Sequence, residues 1–114
     1  MLEYKPPSDE AGLDDVFRAL AHPVRRNILG RIGEQELSIS EIAKPFDMTF
    51  EGVSQHVRVL ERAGLLKRTR VGRVHSCRLD PRPLRDAATT LQHLARFWDV
   101  RLDALDRLLD AEEG

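Results

Sequence analysis

The sequence predicts a mostly α-helical fold carrying one small β-hairpin, and three observations predict it. Apolar residues recur at helical spacing in five separate segments. A run at 66–79 instead reads as two short strands about a glycine turn. Between 38 and 63, a short capped helix and a longer one are separated by a tight break. The expected order is α-α-α-α-β-β-α: a winged helix-turn-helix, with the helix pair at 38–63, the hairpin wing at 66–79 and a long last helix at 82–109. Residues 13–110 form one domain, and residues 1–12 are expected to be a polar, proline-containing, mobile arm.

Asp14 and Asp15 open the first helix, where acidic side chains suit the helix dipole, and Val16, Phe17 and Leu20 give it an apolar face. Pro23 is a favoured first-turn residue and starts the second. Val24, Ile28, Leu29 and Ile32 follow at helical spacing, and Gly33 is expected to stop it. Ser38 and Glu41 have the spacing of a capping box for the third helix, whose buried stripe is Ile39, Ile42, Ala43 and Phe46. Pro45 limits that helix, and Asp47-Met48 makes the turn.

Thr49 is the expected N-cap of the fourth helix, which runs to about Ala63 and buries Val53, Val57 and Leu60. Its opposite face carries Glu51, Gly52, Gln55, Arg58 and Arg62, with Ser54 and His56 beside them. Gly64 is the expected C-cap. Two strands follow about a Val71-Gly72 turn, and Pro81 and Pro83 lead into the last helix.

The last helix carries the second informative pattern. Leu84, Ala88, Leu91, Ala95, Trp98, Leu102, Leu105 and Leu109 are spaced alternately four and three apart. A seven-residue repeat sustained this long is a coiled-coil-like seam, longer than one small domain can cover, and it predicts a homodimer.

Composition narrows the function. Aromatic residues are 5% of the 114, so the core must rest on Leu, Ile, Val and Ala. Cys77 is the single cysteine, which excludes an internal disulfide, and no apolar leader or membrane-length stretch is present. These features lead to the expectation of a cytoplasmic protein with no membrane partner. The net charge of −1 conceals a segregation: residues 44–85 hold ten Lys and Arg against four Asp and Glu, a net +6, between acidic ends. A basic middle coinciding with the helix-turn-helix is the footprint of a polyanion contact, and the polyanion that shape fits is double-stranded DNA. No P-loop, Gly-rich dinucleotide turn or nucleophile elbow is present, so no enzyme is expected and no cofactor is called for.

Thr49, Phe50, Glu51, Gly52, Ser54, Gln55, His56 and Arg58 on the fourth helix, with Arg68, Arg70 and Arg73 on the wing, are the candidate DNA-contacting residues. Gln55 suits adenine N6/N7 and Arg58 suits guanine O6/N7, with Ser54 as a base or phosphate contact. Thr49 caps the helix beside amides that favour an anion, and Gly52 lets the backbone approach closely. Phe50 either meets a thymine methyl or packs on the preceding helix. The wing arginines either enter a narrow minor groove or contact phosphate, and His75 on the wing is a candidate phosphate contact. His22 and His56 are assigned to packing or hydrogen bonding, and strand alternation points Cys77 inward. Two other functions compete: a dimeric protein-interaction module with a vestigial wing, and an architectural protein that binds DNA without sequence preference.

The chain resembles the ArsR (arsenic-repressor type) family of bacterial regulators over most of its length. The motifs are VFRALAHPVRRNIL at 16–29, ELSISEIAKPFDMT at 36–49, VSQHVRVLERAGLL at 53–66 and VGRVHSCRLDP at 71–81, with Phe97-Trp98 and Arg101-Leu102 on the last helix. The resemblance implies a homodimer held by the first and last helices, so that Val16, Phe17 and Leu20 join the seam as interface. It also implies a recognition helix at 49–63 on operator DNA and a role mostly as repressor. Metal-sensing relatives carry two cysteines where this chain has Ser38 and Ser40. Serine hydroxyls are poor ligands for soft metals. A second family site uses clustered His and acidic residues on the last helix, where this chain offers His93 with Asp99, Asp103 and Asp106 but no second histidine. The resemblance is therefore to the metal-independent branch, with no metal expected and an unknown small-molecule effector as a further possible partner.

Overall fold

A computed structural model describes residues 8–113 of the chain. Helix α1 spans Ser8–Leu20, α2 Pro23–Glu34, α3 Ile39–Ala43, α4 Phe50–Arg62 and α5 Pro81–Glu113; the strands are β1 Leu37–Ser38, β2 Leu66–Val71 and β3 Val74–Leu79. The mostly helical fold with a small wing is as expected, with several local differences, among them α5 running Pro81–Glu113 rather than 82–109. Helix α1 begins at Ser8, so residues 8–12 of the expected arm are helical; the segment SDEAGL holds no proline to prevent it. Residues 1–7 of that arm lie outside the described residues. Helix α2 continues past Gly33 to Glu34, because Gly33 keeps helical backbone, and Gln35 is its C-cap. A Cβ at Gly33 would stand 3.5 Å from Leu79 Cδ2, so helix and strand pack closely at this point.

Another difference is a strand. The sheet has three antiparallel strands in the order β1-β3-β2, and β1 was not expected. It is two residues long and pairs Leu37 with Cys77 and Ser38 with Ser76. The Ser76 hydroxyl also donates to the Glu36 carboxylate at 2.8 Å. Ser38 thus ends β1 and caps α3: its Oγ accepts from Glu41 N–H at 3.1 Å, while Glu41 Oε1 accepts from Ser38 N–H at 3.0 Å. The Ser38 N–H bond first, then the Ser38 side chain, hold the Glu41 carboxyl below its usual range. The wing is therefore tied by its inner strand to the residue that starts the helix-turn-helix.

Strands β2 and β3 pair from Leu66–Leu79 out to Val71–Val74. The loop is Gly72-Arg73 rather than Val71-Gly72. Gly72 takes φ +63° at the first loop position, the place that a type II′ hairpin reserves for glycine. Helix α4 ends in a Schellman motif. Gly64 N–H donates to Glu61 O at 3.0 Å and Leu65 N–H to Leu60 O at 3.1 Å, which requires the left-handed φ of +79° at Gly64.

The core lies between α2, α3, α4 and the base of the hairpin, where Ile28, Ile42, Val53, Leu60 and Leu65 are fully covered. Cys77 is fully buried within it, as alternation predicts, and burial pushes its thiol pKa up. Val16 is 2% exposed, which corrects its assignment to the dimer surface: it packs inside its own domain. Phe17, Leu20 and Leu84 are half-buried against the core.

Helix α5 has 33 residues and is about 50 Å long at ~1.5 Å per residue. Its first turns rest on the domain through buried Ala87, not through the neighbouring seam residue Ala88, which is exposed. From Leu91 to Ala111 every described residue is exposed. The apolar stripe there is broader than the heptad seam, because Leu94, Phe97, Val100 and Leu108 stand beside it.

A candidate nucleic-acid interface

Helix α4 presents its N-terminal half outward. Thr49 caps it, with Oγ1 accepting from Gly52 N–H at 3.0 Å. A Cβ at Gly52 would come within 3.2 Å of that oxygen and 3.4 Å of Met48 Cε, so the first turn is tightly built and glycine leaves it room. Phe50, at the first helical position, is 55% exposed, so of the two roles open to it, packing on α3 leaves much of the ring free.

Glu51, Gln55 and Arg58 follow at spacings of four and three, so they form one outward ridge. Glu51 and Gln55 are exposed and Arg58 partly so. The ridge is bridged: Arg58 NH2 donates to Glu51 Oε1 at 2.6 Å across two turns of helix. The sequence showed both residues on one face but not that they engage each other.

Ser54 and His56 stand elsewhere. Ser54 is 6% exposed on the core side of α4, which corrects its placement among outward readers. Its position falls between Val53 and Val57, and a small hydroxyl is tolerated there. His56 is part of an inner cluster. Its ring lies 4.4 Å from that of His22, centroid to centroid, and its Nδ1 lies 3.3 Å from Arg25 NH1. His22 Nδ1 in turn accepts from Val24 N–H at 3.1 Å, capping α2. Both histidines thus have the packing and hydrogen-bonding roles expected of them. Burial first, then His22 and Arg25, lower the His56 pKa.

The wing arginines divide in the same way. Arg68 pairs with inward-facing Cys77 across the hairpin, so the pleat turns it toward the domain. Its side chain is 20% exposed and binds Glu61 at 3.1 Å. Its Nε is buried, with no hydrogen-bond partner among the described residues. Arg70 Nε donates to Gly72 O at 2.8 Å and braces the hairpin loop. Arg73 is exposed in the loop itself, between the exposed valines Val71 and Val74. His75 is half-buried on β3.

Charge at the base of the wing is tied to structure. Asp80 accepts three bonds from Arg82, at 3.1 Å from its backbone N–H, 3.1 Å from Nε and 2.8 Å from NH2, and has Lys67 Nζ at 3.8 Å. Arg82 above all holds its carboxyl far below the usual range. Among the described residues, no three His, Cys, Asp or Glu side chains converge as metal ligands, and no helix is long and apolar enough to cross a membrane. A cavity of about 710 Å³, between α1, the end of α4 and the start of α5, shares no residue with the outward ridge.

Comparison with known proteins places this geometry. The Helix-turn-helix domain family matches residues 20–69. The HTH-type transcriptional regulator Rv2034 of Mycobacterium tuberculosis is 33% identical over 99 residues, covering 87% of this chain and 90% of the relative. The transcriptional repressor SdpR of Bacillus subtilis is 27% identical over 75 residues, covering 66% and 83%. The crystal structure of an ArsR family transcriptional regulator, RHA00566, superposes with a TM-score of 0.74 at 32% identity, covering 87% of this chain and 97% of that one. With shared sequence, shared fold and the expected helix pair and wing in place, the chain belongs to the ArsR family of winged helix-turn-helix transcriptional regulators.

Proposed function

We propose that the protein is a homodimeric, sequence-specific repressor that sets one α4 from each copy into successive major grooves of an inverted-repeat operator. The observation that carries the reading is the uncovered N-terminal half of α4, where Phe50, Glu51, Gln55 and Arg58 face solvent with Arg73 of the wing free as well. A recognition helix contacts base edges from its N-terminal residues, so these are the groups that meet the groove. SdpR, named a transcriptional repressor, supports the direction of control.

The second copy is supported by α5. Nine large apolar side chains between Leu91 and Leu109 are each at least half exposed. A helix of this length, with a seam this regular, is covered by another of the same length, and a second copy supplies one. The reading is metal-independent: the Ser38 hydroxyl, at a family cysteine position, is engaged in the capping box rather than free as a ligand.

The test is fluorescence anisotropy of the purified, metal-free protein against DNA from upstream of its own gene, at fixed salt, with unrelated DNA as competitor. Tight binding that survives the competitor is expected. Binding that any DNA displaces would favour the architectural alternative, and no binding across the salt range would favour the interaction module.

A further inference from the structure

The ion pair over the reading ridge carries an inference that rests on the DNA-binding function just described. Glu51 is 73% exposed, and its carboxylate lies 2.6 Å from Arg58, spanning Gln55 between them. An exposed pair of this kind contributes little to stability. On a surface that approaches a polyanion, however, a carboxylate is a liability unless it finds a donor. It repels phosphate, it neutralises the arginine nearest the helix N-terminus, and in the groove it must give up water. The major groove presents acceptors at guanine N7 and O6, at thymine O4 and at adenine N7. Adenine offers its N6 donor beside the N7 acceptor, so a carboxylate there meets a repelling lone pair. Cytosine N4 is a donor with no acceptor beside it on its own base.

We propose that Glu51 is a specificity-determining residue with two linked tasks. In free protein its carboxylate holds the Arg58 guanidinium, so that Arg58 is not available to phosphate on arbitrary DNA. On the operator the same carboxylate accepts from a cytosine N4 amino group, and Arg58 is released to its own contact. On a wrong base, releasing Arg58 leaves Glu51 facing an acceptor or nothing, and that uncompensated carboxylate rejects the site.

The experiment is selection of binding sites from randomised double-stranded oligonucleotides by wild type, Glu51→Gln and Glu51→Ala, followed by affinity measurements on the selected and unselected pools. Wild type is expected to select one cytosine per half-site at a preference of roughly 5- to 100-fold. Glu51→Gln keeps the side-chain shape and gains a donor, so the same position is expected to change to adenine while the rest of the site stays. Glu51→Ala is expected to lose preference there alone. It should bind the unselected pool several-fold tighter, with a log-log salt dependence steeper by about one unit as Arg58 reaches phosphate. Cytosine retained at that position by both variants, or unchanged affinity for the unselected pool, would overturn the proposal. A wild type that selects no consensus at all would instead overturn the sequence-specific reading, and the cytosine contact with it. Circular dichroism shows whether each variant is folded.

Discussion

Arg25 links the end of α1 to the recognition helix through His56. Its Nε donates to Ala19 O at 2.6 Å and its NH2 to Arg18 O at 2.9 Å, while NH1 lies 3.3 Å from His56 Nδ1. An arginine only donates, so His56 Nδ1 accepts and the ring proton sits on Nε2. Protonating His56 removes that acceptor and sets a positive charge against the Arg25 guanidinium. The His56 pKa is accordingly depressed below its ordinary 6.5. The unfolded chain therefore takes up this proton before the folded chain does. The stabilisation from neutral His56 is whole above about 6.5 and is lost as pH falls through the lower folded value. Thermal melting from pH 7.5 to 5.5 should show a falling Tm in wild type and a shallower fall in His56→Asn. Equal slopes would contradict this account.

The two best-placed wing arginines should behave oppositely. Arg73→Ala removes a free cation from the loop and should reduce the salt dependence of DNA binding by about one unit with Tm unchanged. Arg68→Ala removes the Glu61 partner from the covered side of the hairpin. It should lower Tm and leave the salt slope nearly intact. Interchanged phenotypes would mean that Arg68, not Arg73, meets DNA.

The apolar stripe on α5 predicts how the proposed dimer fails. Leu102 is 52% exposed in the middle of the stripe. Leu102→Asp would place a charge against the second copy and should halve the mass measured by light scattering, with helicity retained. A mass equal to that of wild type would sink the seam as the dimer contact.

Ser38 tests the junction of wing and helix pair. Ser38→Ala deletes the hydroxyl that accepts from Glu41 N–H. The cost should be about 1 kcal/mol of unfolding free energy, the usual loss for an N-cap. Denaturant unfolding measures it; a change within error would show that β1 pairing alone positions α3.

What the sequence carried legibly was local. Ser38 with Glu41, Thr49 and Gly64 each fix a helix end through bonds within a few residues, and all three are found in place. The facing of Val53, Val57 and Cys77 followed from periodicity alone. What escaped depended on residues far apart in the chain. Strand β1 is two residues that become a strand only because β3 lies beside them some forty positions on. Ser54 is polar by type but buried by its place on the helix, and Arg68 is basic but committed to Glu61. The Arg58–Glu51 bridge spans a spacing of seven, which reads as separate residues on one face until side-chain directions are known. Composition thus located the basic surface, while geometry decided which of its cations are free.

The 50 Å rod of α5 also has a consequence for the dose of the protein. If its stripe is covered only by a second copy, and only paired copies span both operator halves, occupancy in dilute conditions follows the square of the chain concentration. A twofold fall in synthesis then lowers the binding species about fourfold. Leu91 to Leu109 would make the response to the protein's own abundance steeper than any single DNA-reading head could, with no ligand involved.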